Sequence, residues 1–127
     1  MLQAPRVVRY SEERDYFFTE GCFINELLNT DDDRQLSVAR ARVRAGETTR
    51  WHKLEGITER YLMVAGEGTA EVGDEPAVVL NPGDVLLIPA GMPQRITNTG
   101  DGVLEFLALC TPAFNEEAYI DLQDQHN

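Results

Sequence analysis

Histidine, cysteine and long apolar runs are scarce in this 127-residue chain, and each shortage excludes a class of site. Only two histidines occur, His52 and His126, so one chain cannot supply a three-histidine metal centre. The two cysteines, Cys22 and Cys110, make neither a disulfide framework nor a CxxC zinc knuckle. No apolar run approaches the length needed to cross a bilayer, and the N-terminus lacks the pattern of a secretory signal. We therefore expect a cytoplasmic protein that does not bind membranes.

Basic charge is scarce as well. The chain has 11 lysines and arginines against 22 aspartates and glutamates, a net charge of -11. Such a surface repels phosphate backbones, so we expect no nucleic-acid partner. The sequence also lacks a GxSxG elbow, a GxGxxG turn and a P-loop, which leaves serine hydrolysis and nucleotide binding without support.

Short strand-like segments fill most of the chain. Segments of four to nine residues rich in Val, Ile, Leu and aromatics alternate with turns rich in Gly, Pro, Asn and Asp. Without helices between them, they predict an all-β antiparallel sandwich or barrel in a single domain over 1–127. We place the barrel core at 22–112, an N-terminal arm at 1–21 and a helical tail at 113–127, where Asn115 is a candidate helix cap.

Two stretches framed by glycine and proline carry the most specific pattern. The first stretch contains Gly46, His52, Glu59 and Gly66, and the second contains Gly83, Pro89, Gly91 and Asn98. Their offsets resemble the two signature motifs of the cupin superfamily, G-x5-H-x-H-x4-E-x6-G and G-x5-P-x-G-x2-H-x3-N. Leu54 stands at the second histidine of the first motif, and Gln94 stands at the histidine of the second.

The resemblance implies a double-stranded β-helix, or jelly-roll barrel, around one interior pocket. The similarity is greatest to short bacterial cupin-2 proteins, some described as sugar-phosphate-isomerase-like. The family's metal positions correspond here to His52, Glu59 and Gln94, since Leu54 cannot bind a metal. A neutral amide oxygen is a poorer donor than imidazole for late transition metals. We therefore expect a divalent ion (Zn, Mn, Fe or Ni) to be weakly bound or absent.

Strand alternation extends the predicted pocket. Glu59, Tyr61 and Met63 share one face of a strand, and Gln94 and Ile96 share one face of another. His52, Glu59 and Tyr61 are the candidate catalytic residues, with Glu59 a metal ligand or a general base of raised pKa.

Three further side chains are open to two interpretations. Cys110 could point into the barrel and strengthen zinc binding as a thiolate, or it could be a packed core thiol. Arg40 and Arg42 share a strand face and could clamp an anionic substrate in the pocket. The alternative for both arginines is a solvated or partner-facing sheet face.

The sequence leaves two main hypotheses for the function. One is a metal-assisted isomerase- or epimerase-like enzyme acting on a sugar or sugar phosphate. The other is a non-catalytic cupin that binds or senses a small molecule with a degraded metal site. A dioxygenase is less favoured, because iron sites for oxygen chemistry use at least two histidines. Leu62 and Val64 make the outer face apolar, which predicts a homodimer.

Overall fold

The computed structural model describes residues 4–123, so His126 lies outside the described residues. Within this range the chain forms eleven strands and two short 3-10 helices, at Glu12–Arg14 and Glu116–Ala118. The strands are β1 (Tyr16–Phe18), β2 (Cys22–Thr30), β3 (Asp33–Val43), β4 (His52–Leu54), β5 (Thr58–Ala65), β6 (Gly68–Val72), β7 (Val78–Leu80), β8 (Val85–Ile88), β9 (Gln94–Asn98), β10 (Leu104–Thr111) and β11 (Tyr119–Asp121).

The strands form two antiparallel sheets. One sheet has six strands in the order β1-β2-β3-β10-β5-β8, and the other has five in the order β11-β4-β9-β6-β7. Strands far apart in the sequence, such as β3 and β10, are neighbours, as in a jelly roll. The all-β prediction and the double-stranded β-helix are therefore confirmed.

Alternation along the strands builds the core. On β5 the side chains of Glu59, Tyr61 and Met63 are buried, while their neighbours are more exposed. On β10 the buried side chains run from Leu104 to Cys110 at every second position. Because β5 pairs with β10, the buried sets of the two strands lie side by side on the inner face of the six-stranded sheet.

Gly66 allows the tight connection between β5 and β6. Its φ is +86°, in the left-handed region that favours glycine. A Cβ atom there would lie 2.7 Å from the carbonyl oxygen of Val103. The glycine that ends the first motif is thus required by the backbone geometry of the barrel.

The predicted C-terminal helix is wrong. Asn115 does cap a helical turn by accepting a hydrogen bond from the N–H of Ala118, at 3.0 Å, but that turn is the 3-10 helix Glu116–Ala118. The chain then continues as β11, which pairs with β4. Pairing at the edge of β4 satisfies the backbone and packs Tyr119 against the barrel, whereas so short an isolated helix has little stability of its own.

The six-stranded sheet begins before the predicted barrel core. β1 lies in the segment assigned to an N-terminal arm, and it pairs with β2. Tyr16, Phe18 and Glu20 thereby reach the inner side of the fold. No helix in the described part of the chain is long and apolar enough to cross a membrane.

Candidate functional site

One cavity is lined by residues of both sheets. The cavity has an empty volume of about 520 Å³ when the solvent at its open mouth is included. The space that can hold the centre of a water molecule is about 40 Å³. Only a small molecule fits this space without side-chain movement. The cavity is lined by Tyr16, Phe18, Glu20, Ile24, Glu26, Ser37, Ala39, Ala41, His52, Leu54, Glu59, Tyr61, Phe106, Ala108, Cys110, Phe114 and Tyr119.

His52 is held from three sides at the start of β4. Its Nδ1 lies 2.7 Å from the carbonyl oxygen of Arg50, and its Nε2 lies 3.2 Å from Oε2 of Glu20. The ring of Tyr119 stacks on the imidazole with the centroids 5.0 Å apart and an interplanar angle of 21°. The imidazole is only 2% exposed, so its orientation is fixed by these contacts.

These contacts determine where the protons of His52 lie. A carbonyl oxygen only accepts, so Nδ1 must carry a hydrogen. Nε2 of His52 then faces the Glu20 carboxyl group, so a proton taken up at this contact is shared between the imidazole and the carboxylate. Such a pair can give up or take back a proton at the cavity wall.

Glu59 is a buried carboxyl group on the inner face of β5. Its Oε1 accepts a hydrogen bond from Nε2 of Gln94 at 3.0 Å. Burial raises the pKa of Glu59 from 4.5 to about 8, and the nearby charge of Glu20 acts in the same direction. Glu59 is therefore mostly protonated at neutral pH and can act as a proton donor.

Tyr61 and Gln94 hold Glu59 in place. The Tyr61 hydroxyl donates to Oε1 of Gln94 at 2.7 Å, which directs the amide N–H of Gln94 toward Glu59. Burial raises the pKa of Tyr61 well above its ordinary value, so this hydroxyl keeps its proton. Tyr61 lines the cavity, whereas Gln94 stands behind it.

Cys110 lies at the cavity wall beside Glu59. Its Sγ is 3.8 Å from Oε2 of Glu59, because the two residues are paired across β5 and β10. Burial raises the pKa of this thiol, and the nearby carboxyl of Glu59 raises it further. The orientation agrees with the predicted inward face, and the thiol packs in a buried cluster with Leu54, Ile57 and Ala118, as the core interpretation expects.

Four of the predicted pocket residues lie elsewhere. Arg40 and Arg42 point away from the cavity, because the alternating Ala39 and Ala41 line it, and this corrects the anion-clamp interpretation. Nε of Arg40 lies 3.1 Å from the Glu105 carboxylate. Arg42 forms an ion pair with Asp15 on the N-terminal segment. Met63 and Ile96 face inward as expected, but they pack in the apolar core rather than at the cavity wall.

The residues at the family's metal positions do not fit a metal ion. Leu54 is apolar and 3% exposed. Oε1 of Gln94 accepts a hydrogen bond from Tyr61, and Nε2 of Gln94 donates one to Glu59, so the amide is used within the protein. Nε2 of His52 faces Glu20 instead of a shared centre. Among residues 4–123 no group of three or more His, Cys, Asp or Glu side chains is arranged to hold an ion.

The charge of the cavity wall is one-sided. Glu20, Glu26 and Glu59 contribute carboxyl groups, and His52 is the sole basic side chain among the described lining residues. No lysine or arginine of the described part lines the cavity. The remaining wall is largely aromatic, with rings from Tyr16, Phe18, Tyr61, Phe106, Phe114 and Tyr119.

Sequence reasoning missed Glu20, Glu26 and the aromatic wall. Glu20 lies in the turn before β2, where Gly21 has a φ of +100°. That turn falls in the segment predicted to be an arm outside the barrel. The one available signal was the acidic residue directly before a glycine and an apolar strand. Tyr119 was hidden by the helical interpretation of its segment.

The fold defines a double-stranded β-helix barrel, and the cavity lies in its interior. A family model described as "Cupin domain" (Cupin_2) matches residues 39–110, more than half of the chain. The chain therefore belongs to the Cupin_2 family.

Individual relatives agree with this assignment. The chain is 37% identical over 71 residues to an oxalate-binding protein of Thermotoga maritima, a match that covers 56% of this chain and 58% of that protein. A solved structure from T. maritima, described as a predicted oxalate decarboxylase, has a TM-score of 0.74 and 29% identity, and covers 84% of this chain and 99% of its own. The Streptomyces nucleoside dehydratase Pac13 has a TM-score of 0.74 and 21% identity, over 91% of this chain and 90% of its own.

Proposed function

We propose that the chain is an acid–base enzyme that acts on a small polar molecule without a metal, by proton transfer of the isomerase, epimerase or dehydratase type. The observation that carries the proposal is that two different proton-transfer groups face one small cavity. The Glu20–His52 pair can take up a proton between its two groups, and Glu59, whose pKa burial raises to about 8, holds a proton to give. Groups whose environments give them opposite roles at neutral pH are characteristic of acid–base sites.

The Glu20–His52 pair acts as the base in this proposal, and Glu59 acts as the acid. The Glu20–His52 pair accepts a proton from a carbon atom next to a carbonyl or hydroxyl group. Glu59 delivers its proton to the substrate oxygen, either to form an enol or to let a hydroxyl group leave as water. In an isomerisation the pair returns its proton to a neighbouring carbon, and Glu59 recovers its own. Tyr61 and Gln94 are positioning residues for Glu59.

The relatives support the coarse part of this proposal. One is named for binding oxalate and another for dehydrating a nucleoside, so small polar ligands recur among proteins of this fold. The sugar substrate suggested by the resemblance stays a prediction. A non-catalytic binding protein is the competing function, because the Gln94 amide is fully used inside the protein rather than offered to a ligand.

Deuterium exchange tests the enzyme proposal directly. The protein, treated with chelator, is incubated in D2O with a panel of small hydroxy and carbonyl compounds, and NMR records the loss of C–H signals. We expect exchange or elimination with wild type, and a loss of at least about 100-fold in His52→Gln and Glu20→Gln. Glu105→Gln, whose carboxylate lies on the opposite face beside Arg40, is the matched control and should be unchanged.

Two results would contradict the proposal. Exchange that survives His52→Gln at the wild-type rate would remove the pair from the chemistry. Saturable binding of a panel compound without any exchange would favour the binding protein instead.

A further inference from the structure

We infer that the cavity selects a small organic cation, an ammonium compound, over neutral and anionic molecules of the same shape. The inference rests on the proposed function for the location of the site, and it adds the charge of the ligand. Its basis is the combination of carboxyl groups and aromatic rings on one cavity wall.

Acidic side chains outnumber basic ones on the cavity wall. Glu26 and Glu20 approach the cavity from β2 and the turn before it, and Glu59 approaches from β5. Glu59 keeps its proton at neutral pH, but Glu20 and Glu26 together still outnumber the single imidazole of His52 on this wall. With no lysine or arginine among the described lining residues, the field inside favours positive charge.

Four of the aromatic rings that line the cavity contact one another. Phe18 meets Tyr119 at 5.0 Å and 83°, Phe114 at 6.1 Å and 82°, and Tyr16 at 6.1 Å and 76°. Because all four rings also line the cavity, they form a continuous aromatic wall beside the carboxyl groups.

The carboxyl groups and the aromatic rings of the wall suit the same kind of ligand. The face of an aromatic ring carries partial negative charge and attracts ammonium groups, and several rings around one cation form an aromatic cage. Such a cage beside a carboxylate is suited to an alkylammonium group. An anion such as oxalate or a phosphate meets repulsion from the same wall. The arginines that could have offset it, Arg40 and Arg42, are paired on the other face of β3.

Calorimetry with two pairs of matched probes tests the inference. Choline is compared with its neutral isostere 3,3-dimethylbutan-1-ol, ethanolamine is compared with ethylene glycol, and oxalate is the anionic probe. At neutral pH and low salt we expect at least one cation to bind about tenfold more tightly than its neutral partner, and oxalate not to bind. Added salt should weaken the cation and leave the neutral compound unchanged.

Variants connect the preference to the wall. Glu26→Gln removes one carboxylate outside the proposed proton-transfer groups and should weaken cation binding about tenfold. Phe18→Leu should weaken the cation more than its neutral isostere. Glu75→Gln carries the same charge change in the exposed turn after β6 and should have no effect.

The outcomes separate this inference from the proposed function. Equal or tighter binding of the neutral isosteres, binding of oxalate, or no binding of any probe overturns the cation preference. Cation binding that is lost in Glu26→Gln, in a protein that exchanges no C–H bond, supports the cation preference and contradicts the enzyme proposal. Turnover of a neutral compound, without tighter binding of cations, supports the enzyme proposal and contradicts the cation preference.

Discussion

Nε2 of His52 lies 3.2 Å from Oε2 of Glu20, a residue of the turn that precedes β2. Because Nδ1 of His52 is engaged by the Arg50 carbonyl, Glu20 is the partner of the second nitrogen. Glu20→Leu should therefore leave a buried nitrogen unpaired and lower the free energy of unfolding by about 1–3 kcal/mol in urea titrations. Glu20→Gln can donate to the neutral imidazole and should cost less. An unchanged free energy of unfolding in Glu20→Leu would show that the contact does not stabilise the fold.

Glu59 should make the stability of the protein depend on pH. Its pKa rises from 4.5 to about 8 on folding, so between these values the folded chain keeps a proton that the unfolded chain has lost. The stabilising contribution is fully present below pH 4.5 and is lost as pH rises through 8, at about 1 kcal/mol per pH unit. Urea titrations across this pH range should therefore give free energies of unfolding that decline with pH in wild type and decline less in Glu59→Gln.

The comparison for Glu59 needs its own control. Glu59→Gln should remove most of the decline, whereas Glu117→Gln changes an exposed carboxylate and should retain it. A decline of the same size in Glu59→Gln would show that another group causes it.

The metal positions can be tested by restoring them. The double variant Leu54→His, Gln94→His supplies the two imidazoles that the family pattern has and this chain lacks. After exposure to Zn, Mn, Fe or Ni and gel filtration, elemental analysis should find close to one ion per chain in the double variant. Wild type should hold much less.

The single variants are the controls for this restoration. Each leaves one position without an imidazole and should bind metal more weakly than the double variant. Stoichiometric metal in wild type that disappears in His52→Ala would contradict the conclusion that the present donors do not fit an ion.

Tyr119 should stabilise the protein through its ring and not through its hydroxyl. The ring stacks on His52 and meets Phe18 edge to face, while the buried hydroxyl has no hydrogen-bond partner among the described residues. Tyr119→Phe should change the free energy of unfolding by less than about 0.5 kcal/mol, and Tyr119→Leu should lower it by about 1–2 kcal/mol. A large loss in the Phe variant would assign a role to the hydroxyl.

The outer face of the six-stranded sheet carries the prediction of a homodimer. Val64 is 45% exposed, and on the neighbouring β8 Val85 and Leu87 are 61% and 59% exposed. Light scattering at micromolar concentration should find a dimer for wild type and a monomer for Val85→Glu. Val78→Glu, on β7 of the other sheet, is the matched control and should remain a dimer. A wild-type monomer would refute the prediction.

The fold was accessible from the sequence because the barrel repeats local signals. Gly66 was placed by the motif spacing, and the structure shows the close approach to Val103 that requires it. The inward faces of β5 and β10 followed from alternation alone. The prediction for the C-terminal segment was wrong, because Asn115 caps a single helical turn as well as a longer helix. The residues after that turn form β11, because they pair with the edge of β4.

Only part of the site could be predicted from the sequence. His52 and Glu59 stood at motif positions, and alternation placed Tyr61 beside them. Their hydrogen-bond partners depend on contacts between distant segments, which no local pattern encodes. The direction of Arg40 was undetermined because an alternating Arg–Ala strand leaves the choice of face to the neighbouring sheet, and the small alanines leave room for the cavity.

The imidazole of His52 lies between Glu20 from the beginning of the described chain and Tyr119 from its end. The cavity therefore takes its final shape only after both terminal segments have docked onto the barrel. A molecule bound there should therefore stabilise both terminal segments against local unfolding. Ligand binding in the cavity should make both segments more resistant to proteolysis, although β1 and β11 belong to different sheets.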